Sequence, residues 1–141
     1  MTNITYKATI KDAGDEFLIA TTPGNYSLTI DTKSERRSAP TPVELLLISV
    51  AACTAVDVVS IMEKKRQAIS DYRVEISGER RDEHPRSFTK MHVHHIVYGH
   101  DVSAQALARA IELSDTKYCS VAATVRPTVE ITTSFEIIEA D

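Results

Sequence analysis

Residues 40–67, PTPVELLLISVAACTAVDVVSIMEKKRQ, decide the fold of this 141-residue chain. Thr41 occupies the position of a helix N-cap, Pro42 occupies the first helical position, and Glu44 follows Thr41 by three residues. This arrangement is typical of a capping box at the start of a helix. The segment ends in cations, which stabilise the negative end of a helix dipole. The sequence therefore predicts a long central helix over residues 43–68.

The predicted helix is apolar on nearly every side. Fourteen of the eighteen residues from Leu45 to Met62 are apolar, and the four polar residues do not form one stripe. Such a helix either crosses a membrane or is buried all round. Asp57 in its middle and the strand-rich remainder of the chain favour burial, without a membrane. Because a chain of this length cannot easily surround so long a helix, we expect a second subunit to cover it in a homodimer.

Length, charge and the N-terminal sequence narrow the class of protein. A chain of 141 residues corresponds to one domain, residues 1–141, whose core needs neither a metal nor a disulfide. The net charge is −4 and the longest like-charged run is Lys64–Arg66, which argues against nucleic acid or an anionic membrane as a partner. Residues 1–16 lack the pattern of a secretion signal, so we expect a cytoplasmic protein with free thiols.

Three short runs of alternating apolar residues precede the helix. They predict a β-meander within residues 1–31, with turns at Asp12–Gly14 and Pro23–Gly24, where glycine supplies the positive φ of a type II turn. The alternating positions are Ile4, Tyr6, Ala8 and Ile10, then Phe17 and Ile19, and then Tyr26, Leu28 and Ile30. A polar loop with two prolines, residues 32–42, leads from the meander to the helix.

Two further alternating segments follow the helix. Residues 72–76 and 88–98 alternate between apolar and polar side chains, and we expect the two strands to pair. Ser103 or Asp101 can cap a second helix, in which apolar residues recur at i, i+3, i+4 and i+7.

The second helix is interrupted near its end. Residues 114–116, Ser-Asp-Thr, break the apolar pattern before a short helical segment near residues 119–124, and alternation over residues 129–137 predicts a final strand. Residues 71–141 should therefore form a ββ-α-α-β unit. Grouped strands and helices predict an α+β fold built on antiparallel sheets.

Two cysteines carry the candidate chemistry. Cys53 lies near the middle of the predicted helix, and Cys119 follows 66 residues later. This spacing fits neither a zinc ribbon nor a local CxxC pair, so the two thiols can meet only through the fold. They are either small buried residues or a redox pair, in which a sulfenic acid on one is captured by the other as a disulfide. Cys119 is expected in the first turn of a short helix, where unpaired N–H groups favour a thiolate.

The segments around both cysteines resemble a known family. Residues 40–67 are similar to the central-helix motif of the OsmC/Ohr family of organic hydroperoxide reductases. SDTKYCSV, residues 114–121, is similar to the second-cysteine motif of that family. The resemblance also includes YRVEISGERRDEHPRSFTKMHVHHIVYGHDVS, residues 72–103, so it covers nearly the whole chain. It is closer to the OsmC-like branch than to the founding enzymes.

This resemblance implies a fold and an activity. The implied fold is an intertwined α+β homodimer with antiparallel sheets around a long buried central helix that carries Cys53. The implied activity is that of a two-cysteine thiol peroxidase, with Cys53 as the peroxidatic nucleophile and Cys119 as the resolving thiol. The implied substrates are organic hydroperoxides and the implied reductant is a dithiol of lipoyl or thioredoxin type, without a cofactor.

A buried thiol needs a cation to lower its pKa, and the resemblance implies an arginine held by a glutamate near the start of the central helix. Glu44 is the candidate glutamate, but it also fits a capping box with Thr41, and nine helical residues turn it about 180° from Cys53. Two arginines lie in the preceding loop. Arg37 is the candidate catalytic cation and Arg36 a candidate pocket residue, and alternatively both are solvated charges.

Two further residues are candidates for the substrate pocket. Asp57 stands four residues after Cys53 on the same helical face, and its charge would raise the pKa of that thiol unless it is neutralised. There are two alternatives for Asp57. It binds an arginine of the second subunit, or it is a buried acid that is hydrogen-bonded to the backbone or to water. Tyr118, next to Cys119, either lines the pocket or serves packing alone.

The histidines suggest a weaker alternative. His92 and His94 point to one face of a strand, where they could bind a metal together with a cysteine or simply face solvent. His95 points to the opposite, apolar face and is expected to be a core histidine.

These observations lead to two hypotheses. The first is a homodimeric peroxidase for apolar hydroperoxides that acts through Cys53 and Cys119. The alternative is a dimer of the same fold that binds a small ligand or senses oxidants without turnover, because the early strands contain no arginine.

Overall fold

The computed structural model describes residues 4–141, so residues 1–3 of the predicted meander lie outside the described residues. The chain forms two compact units, one ending at Leu46 and one spanning Leu47–Asp141. The elements in chain order are strands β1 (Thr9–Asp12), β2 (Phe17–Thr21) and β3 (Ser27–Asp31), helix α1 (Pro42–Lys64), strands β4 (Ala68–Arg80) and β5 (Phe88–His100), helix α2 (Ala104–Leu113), a π-helical turn (Ser114–Tyr118), helix α3 (Ser120–Val125) and strand β6 (Glu130–Glu139). The predicted α+β class is confirmed, whereas the single domain over residues 1–141 stays a prediction.

In the first unit, β1, β2 and β3 form the predicted antiparallel meander. β1 begins at Thr9 and is therefore shorter than the alternation from Ile4 predicted. Thr9 pairs with Thr21, the last residue of β2, so β2 offers no further residue for pairing. Ile4 and Tyr6 are exposed instead. An alternating pattern becomes a strand only where a neighbouring strand is long enough to pair with it.

The turns of the meander correct one detail. Gly14 adopts a φ of 109° in the first turn, as expected for a glycine. In the second turn, Asn25 and not Gly24 has the positive φ, at 61°. The N–H of Asn25 donates to the carbonyl of Thr22 at 3.0 Å. Asparagine tolerates this region because its short polar side chain can bond locally.

The loop between β3 and α1 is organised around the buried carboxylate of Asp31. Arg36 binds it with two hydrogen bonds, from Nε to Oδ2 at 2.8 Å and from Nη2 to Oδ1 at 3.0 Å. The N–H groups of Lys33 and Ser38 and the hydroxyl of Ser38 also donate to it. These bonds, above all that of Arg36, hold the pKa of Asp31 well below its usual range.

Helix α1 begins with the predicted capping box. The N–H of Thr41 donates to Oε1 of Glu44 at 2.9 Å, and the N–H of Glu44 donates to Oγ1 of Thr41 at 3.4 Å. The hydrogen bonds from Thr41 lower the pKa of Glu44. Glu44 therefore serves the start of the helix, as its interpretation as a capping-box residue required.

Within a single chain α1 is buried along one stripe only. The buried residues recur every four positions and are Val50, Thr54, Val58 and Met62. Ile48, Val56 and Val59 are 49%, 68% and 43% exposed. The expectation of burial all round is therefore not met within one chain. Length and composition alone would allow α1 to cross a membrane, but core helices of soluble proteins pass the same test.

The helix ends four residues earlier than the predicted residue 68. Arg66 adopts a φ of 55°, and the N–H groups of Arg66 and Gln67 donate to the carbonyls of Glu63 and Met62. This is a Schellman motif, which usually carries glycine at the left-handed position. Because arginine occupies that position here, the sequence contained no clear stop signal.

Replacing Arg66 with glycine should raise the free energy of unfolding by about 1 kcal/mol, because glycine adopts positive φ without a steric cost. Lys64→Gly is the matched control, since it weakens the last turn of the helix by about 1 kcal/mol. Urea denaturation of both variants beside the wild type measures the two effects. Destabilisation by Arg66→Gly would contradict the assigned motif.

The second unit contains a three-stranded sheet in the order β4-β5-β6. β4 and β5 pair antiparallel, which confirms the predicted pairing. β6 pairs parallel to β5, with Lys90 opposite Glu130 and Gly99 opposite Glu139, which corrects the expectation of purely antiparallel sheets. The reason is the crossover through α2 and α3, which returns the chain to the end of the sheet where β5 began.

The core of this unit lies between the sheet and the helices. Its buried members come from α1, β5 and α2, and they are Val58, Met62, Val97, Leu107, Ala110 and Ile111. α2 is capped by Ser103, whose Oγ accepts from the N–H of Ala106 at 3.1 Å. Of the two predicted caps, Ser103 and Asp101, the first is therefore confirmed. This packing holds α1 against α2 and β5.

His95 is the predicted core histidine. It is fully buried, and its Nδ1 lies 2.5 Å from the hydroxyl of Tyr72. Its Nε2 has no hydrogen-bond partner among residues 4–141. Burial lowers the pKa of His95 from 6.5 to about 4, and the neighbouring His94 adds to the effect. The folded protein therefore keeps this imidazole neutral, whereas the unfolded chain protonates it more readily.

The free energy of unfolding should fall by about 2 kcal/mol between pH 7.5 and about pH 5, because His95 binds a proton only when the chain unfolds. The contribution of His95 is complete above pH 6.5 and is lost as the pH falls towards 4. His95→Gln should flatten this dependence, while His84→Gln, in an exposed loop, should leave it unchanged. Urea denaturation across this pH range tests both, and an unaltered slope in His95→Gln would refute the assignment.

Candidate functional site

The fold brings the two cysteines of the chain together. Cys53 lies in α1, and Cys119 is the residue immediately before α3. The Sγ atoms of both cysteines and a carboxylate oxygen of Asp57 all lie within 4.8 Å of one another. Both cysteines are free thiols, Cys53 half-buried and Cys119 buried. The second unit thus builds a site from two residues that are 66 positions apart.

The π-helical turn after α2 delivers Cys119 to this site. Ser114 is fully buried at the start of the turn, and its carbonyl accepts from the N–H of Cys119 at 2.9 Å. Arg126, which follows α3, reaches back to the same turn, and its Nη2 donates to Oδ1 of Asp115 at 2.6 Å. The segment that carries Cys119 is therefore held from both sides. The predicted break at residues 114–116 is this turn.

Cys119 caps α3. Its Sγ accepts from the N–H of Ala122 at 3.3 Å, which lowers the pKa of the thiol. Burial acts in the opposite direction and is the larger effect, and Cys53 and Asp57 also raise the pKa, to about 11. The expected N–H donor is present, but the net effect is opposite to the thiolate that the sequence predicted, because burial outweighs one hydrogen bond.

Within the chain, Asp57 is bound by the hydroxyl group of Ser114. The hydroxyl of Ser114 donates to Oδ2 of Asp57 at 2.8 Å and lies 3.0 Å from Oγ1 of Thr54. Thr54 and Asp57 are both on α1, so Ser114 joins this helix to the turn before Cys119. The charge of Asp57 reaches Cys119, whose pKa it raises.

Ser114→Ala should lower the free energy of unfolding by about 1–3 kcal/mol, because it leaves the buried hydroxyl of Thr54 and the carboxylate of Asp57 without this donor. It should also slow disulfide formation between Cys53 and Cys119. Ser120→Ala, an exposed position one residue past Cys119, is the control. Chemical denaturation and the rate of thiol loss with a disulfide reagent measure the two effects. Equal behaviour of both variants would show that Ser114 does not organise the site.

The other predicted site residues have partners of their own. Arg36 binds Asp31 and also forms an ion pair with Asp15 at 3.5 Å. The charge of Arg37 lowers the pKa of Glu44, which forms the capping box. The catalytic roles of Glu44 and Arg37 and the pocket role of Arg36 stay predictions.

Tyr118 and the paired histidines lie on exposed surfaces. Tyr118 is 50% exposed, and Nζ of Lys117 lies 5.3 Å from the centre of its ring. His92 and His94 both bind the hydroxyl of Ser134 at 2.7 Å, one through Nε2 and the other through Nδ1. These contacts are typical of a polar sheet face, which agrees with the interpretation that His92 and His94 face solvent.

Sequence reasoning missed the role of Ser114. The residue follows Leu107 and Ile111 at the spacing of a core-facing helical position. A polar residue at such a position needs a buried partner, and this signal could have identified it. The salt bridge between Asp115 and Arg126 carried no comparable signal, since the charges of loop residues do not indicate their partners.

Comparison with known proteins defines the family. Residues 33–134 match the family model described as OsmC-like protein. This chain belongs to the OsmC-like family. It is 47% identical to protein YhfA of Escherichia coli (strain K12) over 102 residues, which are 72% of this chain and 76% of YhfA.

Solved structures share the fold. A hypothetical protein from Aquifex aeolicus VF5 is 28% identical and has a TM-score of 0.87 over 99% of this chain and 100% of that chain. The organic hydroperoxide resistance protein OhrB of Bacillus subtilis is 16% identical, with a TM-score of 0.65 over 94% of this chain and 98% of that chain. At that identity the likeness concerns the fold alone. The name of OhrB is that of an organic hydroperoxide resistance protein, and other structural neighbours carry similar names.

Proposed function

We propose that this protein reduces organic hydroperoxides through Cys53, whose sulfenic acid is resolved by Cys119 as a disulfide. The observation that carries this proposal is the approach of the two sulfurs to within 4.8 Å. A disulfide requires about 2.05 Å between the sulfurs, so its formation must close the remaining gap. Membership of a family with members named as hydroperoxide resistance proteins supports the same chemistry.

The environment of the thiols favours Cys53 as the attacking group. Burial raises the pKa of Cys119 to about 11, so this thiol is protonated at neutral pH and is a poor nucleophile towards a peroxide. Cys53 is the more accessible of the two. In the second step Cys119 loses its proton as it attacks the sulfenic acid.

The reaction balances in three steps. The thiolate of Cys53 attacks the distal peroxide oxygen, and with one proton it gives a sulfenic acid and an alcohol. Cys119 displaces water from the sulfenic acid and forms the disulfide. A dithiol, of lipoyl or thioredoxin type, then reduces the disulfide and is itself oxidised to a disulfide.

The exposed side of α1 supports a homodimer. Ile48, Val56 and Val59 are large apolar residues that a single chain leaves in solvent. An apolar surface of this kind typically marks an interface between subunits. An apolar interface beside Cys53 would also favour fatty or aryl hydroperoxides over hydrogen peroxide. We assign the protein to the cytoplasm, where dithiol reductants operate.

The alternative is a ligand-binding or oxidant-sensing dimer without turnover. It is favoured by the state of Arg36, the predicted pocket residue, because its guanidinium is already bound by the buried carboxylate of Asp31. An arginine held in this way is less available to lower the pKa of a thiol. The rate of peroxide reduction separates the two functions.

Reduced wild type mixed with cumene hydroperoxide should form the Cys53–Cys119 disulfide within seconds, at least about tenfold faster than with hydrogen peroxide, because burial of the aryl group contributes binding energy. Cys53→Ser should abolish the reaction. Cys119→Ser is the matched variant, and it should stop at a sulfenic acid that dimedone traps. Mass spectrometry of quenched samples identifies each species.

The opposite results have clear meanings. Oxidation that takes hours in the wild type would reject the peroxidase and favour the alternative function. Rapid consumption of peroxide by Cys53→Ser would reject Cys53 as the nucleophile.

A further inference from the structure

The donor atoms of Cys53, Asp57 and Cys119 also form a candidate metal centre. Two thiol sulfurs and one carboxylate oxygen lie within 4.8 Å of one another. Zinc bonds of about 2.3 Å to sulfur and about 2.0 Å to oxygen place neighbouring ligands less than about 4 Å apart. Small side-chain rotations therefore suffice to bring all three onto one ion. We propose that the reduced protein binds one Zn²⁺ ion at these three residues.

Hydrogen bonds already orient two of the three ligands. The hydroxyl of Ser114 donates to Oδ2 of Asp57 at 2.8 Å, and the other carboxylate oxygen can bind the ion. The N–H of Ala122 donates to Sγ of Cys119 at 3.3 Å. Metal ligands in proteins commonly carry such outer hydrogen bonds, which fix their orientation. The third ligand, Cys53, is held by the regular backbone of α1.

The ligand set selects a thiophilic cation. Two cysteines and one aspartate suit Zn²⁺, whereas Mg²⁺ and Ca²⁺ require oxygen ligands throughout. Three protein ligands leave the fourth tetrahedral position to water or a small molecule. When Zn²⁺ binds, each thiol releases one proton and no electron is transferred.

Zinc binding and the disulfide exclude each other, because both use the sulfurs of Cys53 and Cys119. An organic hydroperoxide would take two electrons from the two bound thiolates. With two protons, this gives the disulfide, the alcohol, water and free Zn²⁺. This release step rests on the proposed function, whereas zinc binding by the reduced protein does not. The site would therefore hold the thiols as zinc thiolates until an oxidant arrives.

Asp57 separates the metal site from the redox site. Reduced, tag-free wild type should bind one Zn²⁺ per chain in competition with a chromogenic chelator, and Co²⁺ should give a thiolate-to-cobalt charge-transfer band. Asp57→Asn should weaken Zn²⁺ binding at least about tenfold while both thiols remain. Its amide oxygen can still accept from Ser114, so the fold should be kept. Glu63→Gln, an exposed acid on the same helix, is the charge-matched control.

Each outcome decides one question. Absence of zinc and of the cobalt band in protein with two titratable thiols would overturn the metal site, whatever the rate of peroxide reduction. Unchanged affinity in Asp57→Asn would overturn the three-ligand assignment. Zinc binding by wild type that is lost in Cys53→Ser and Cys119→Ser, and reversed by cumene hydroperoxide, supports the whole proposal. Zinc binding in a protein that hydroperoxide does not oxidise would retain the metal site and reject the peroxidase.

Discussion

The hydrogen bond from Ser114 to Asp57 is the constraint on which the site depends. Ser114 stands at the end of α2, and Asp57 stands on α1, so this bond sets the distance between the helix that carries Cys53 and the turn that leads to Cys119. Ser114 is fully buried and Asp57 is half-buried. A buried polar group without a partner is costly, so this bond satisfies the hydroxyl of Ser114 and also fixes the separation of the sulfurs.

Asp31 and Asp57 are bound in contrasting ways. Asp31 is surrounded by donors, including both a guanidinium and backbone N–H groups, and its charge is compensated where it stands. Asp57 accepts from a neutral hydroxyl, and its charge adds to the larger effects of burial and of Cys53 that raise the pKa of Cys119. The first arrangement is typical of a structural ion pair, and the second leaves charge available for chemistry.

Sequence patterns predicted the elements of the fold better than their ends and pairings. The capping box at Thr41, the cap at Ser103 and the pairing of β4 with β5 follow from local spacing, which the chain cannot easily override. The end of α1 depends on the left-handed backbone conformation of Arg66, and the parallel pairing of β6 depends on the crossover before it. Neither feature produces a periodic pattern in the sequence. For the site, the resemblance around the cysteines indicated the pair, but burial determined the pKa of Cys119, and burial becomes known only with the fold.

The parallel pairing of β6 with β5 affects how the protein matures. β6 follows β5 in the chain through the crossover that contains Cys119, so it leaves the ribosome after both. Parallel, long-range pairing is slow because the chain loses the entropy of closing a long loop before the stabilising contacts form. A nascent chain therefore carries Cys53 for some time before its partner cysteine is in position. During synthesis, the thiol of Cys53 therefore exists before the fold that places Cys119 beside it.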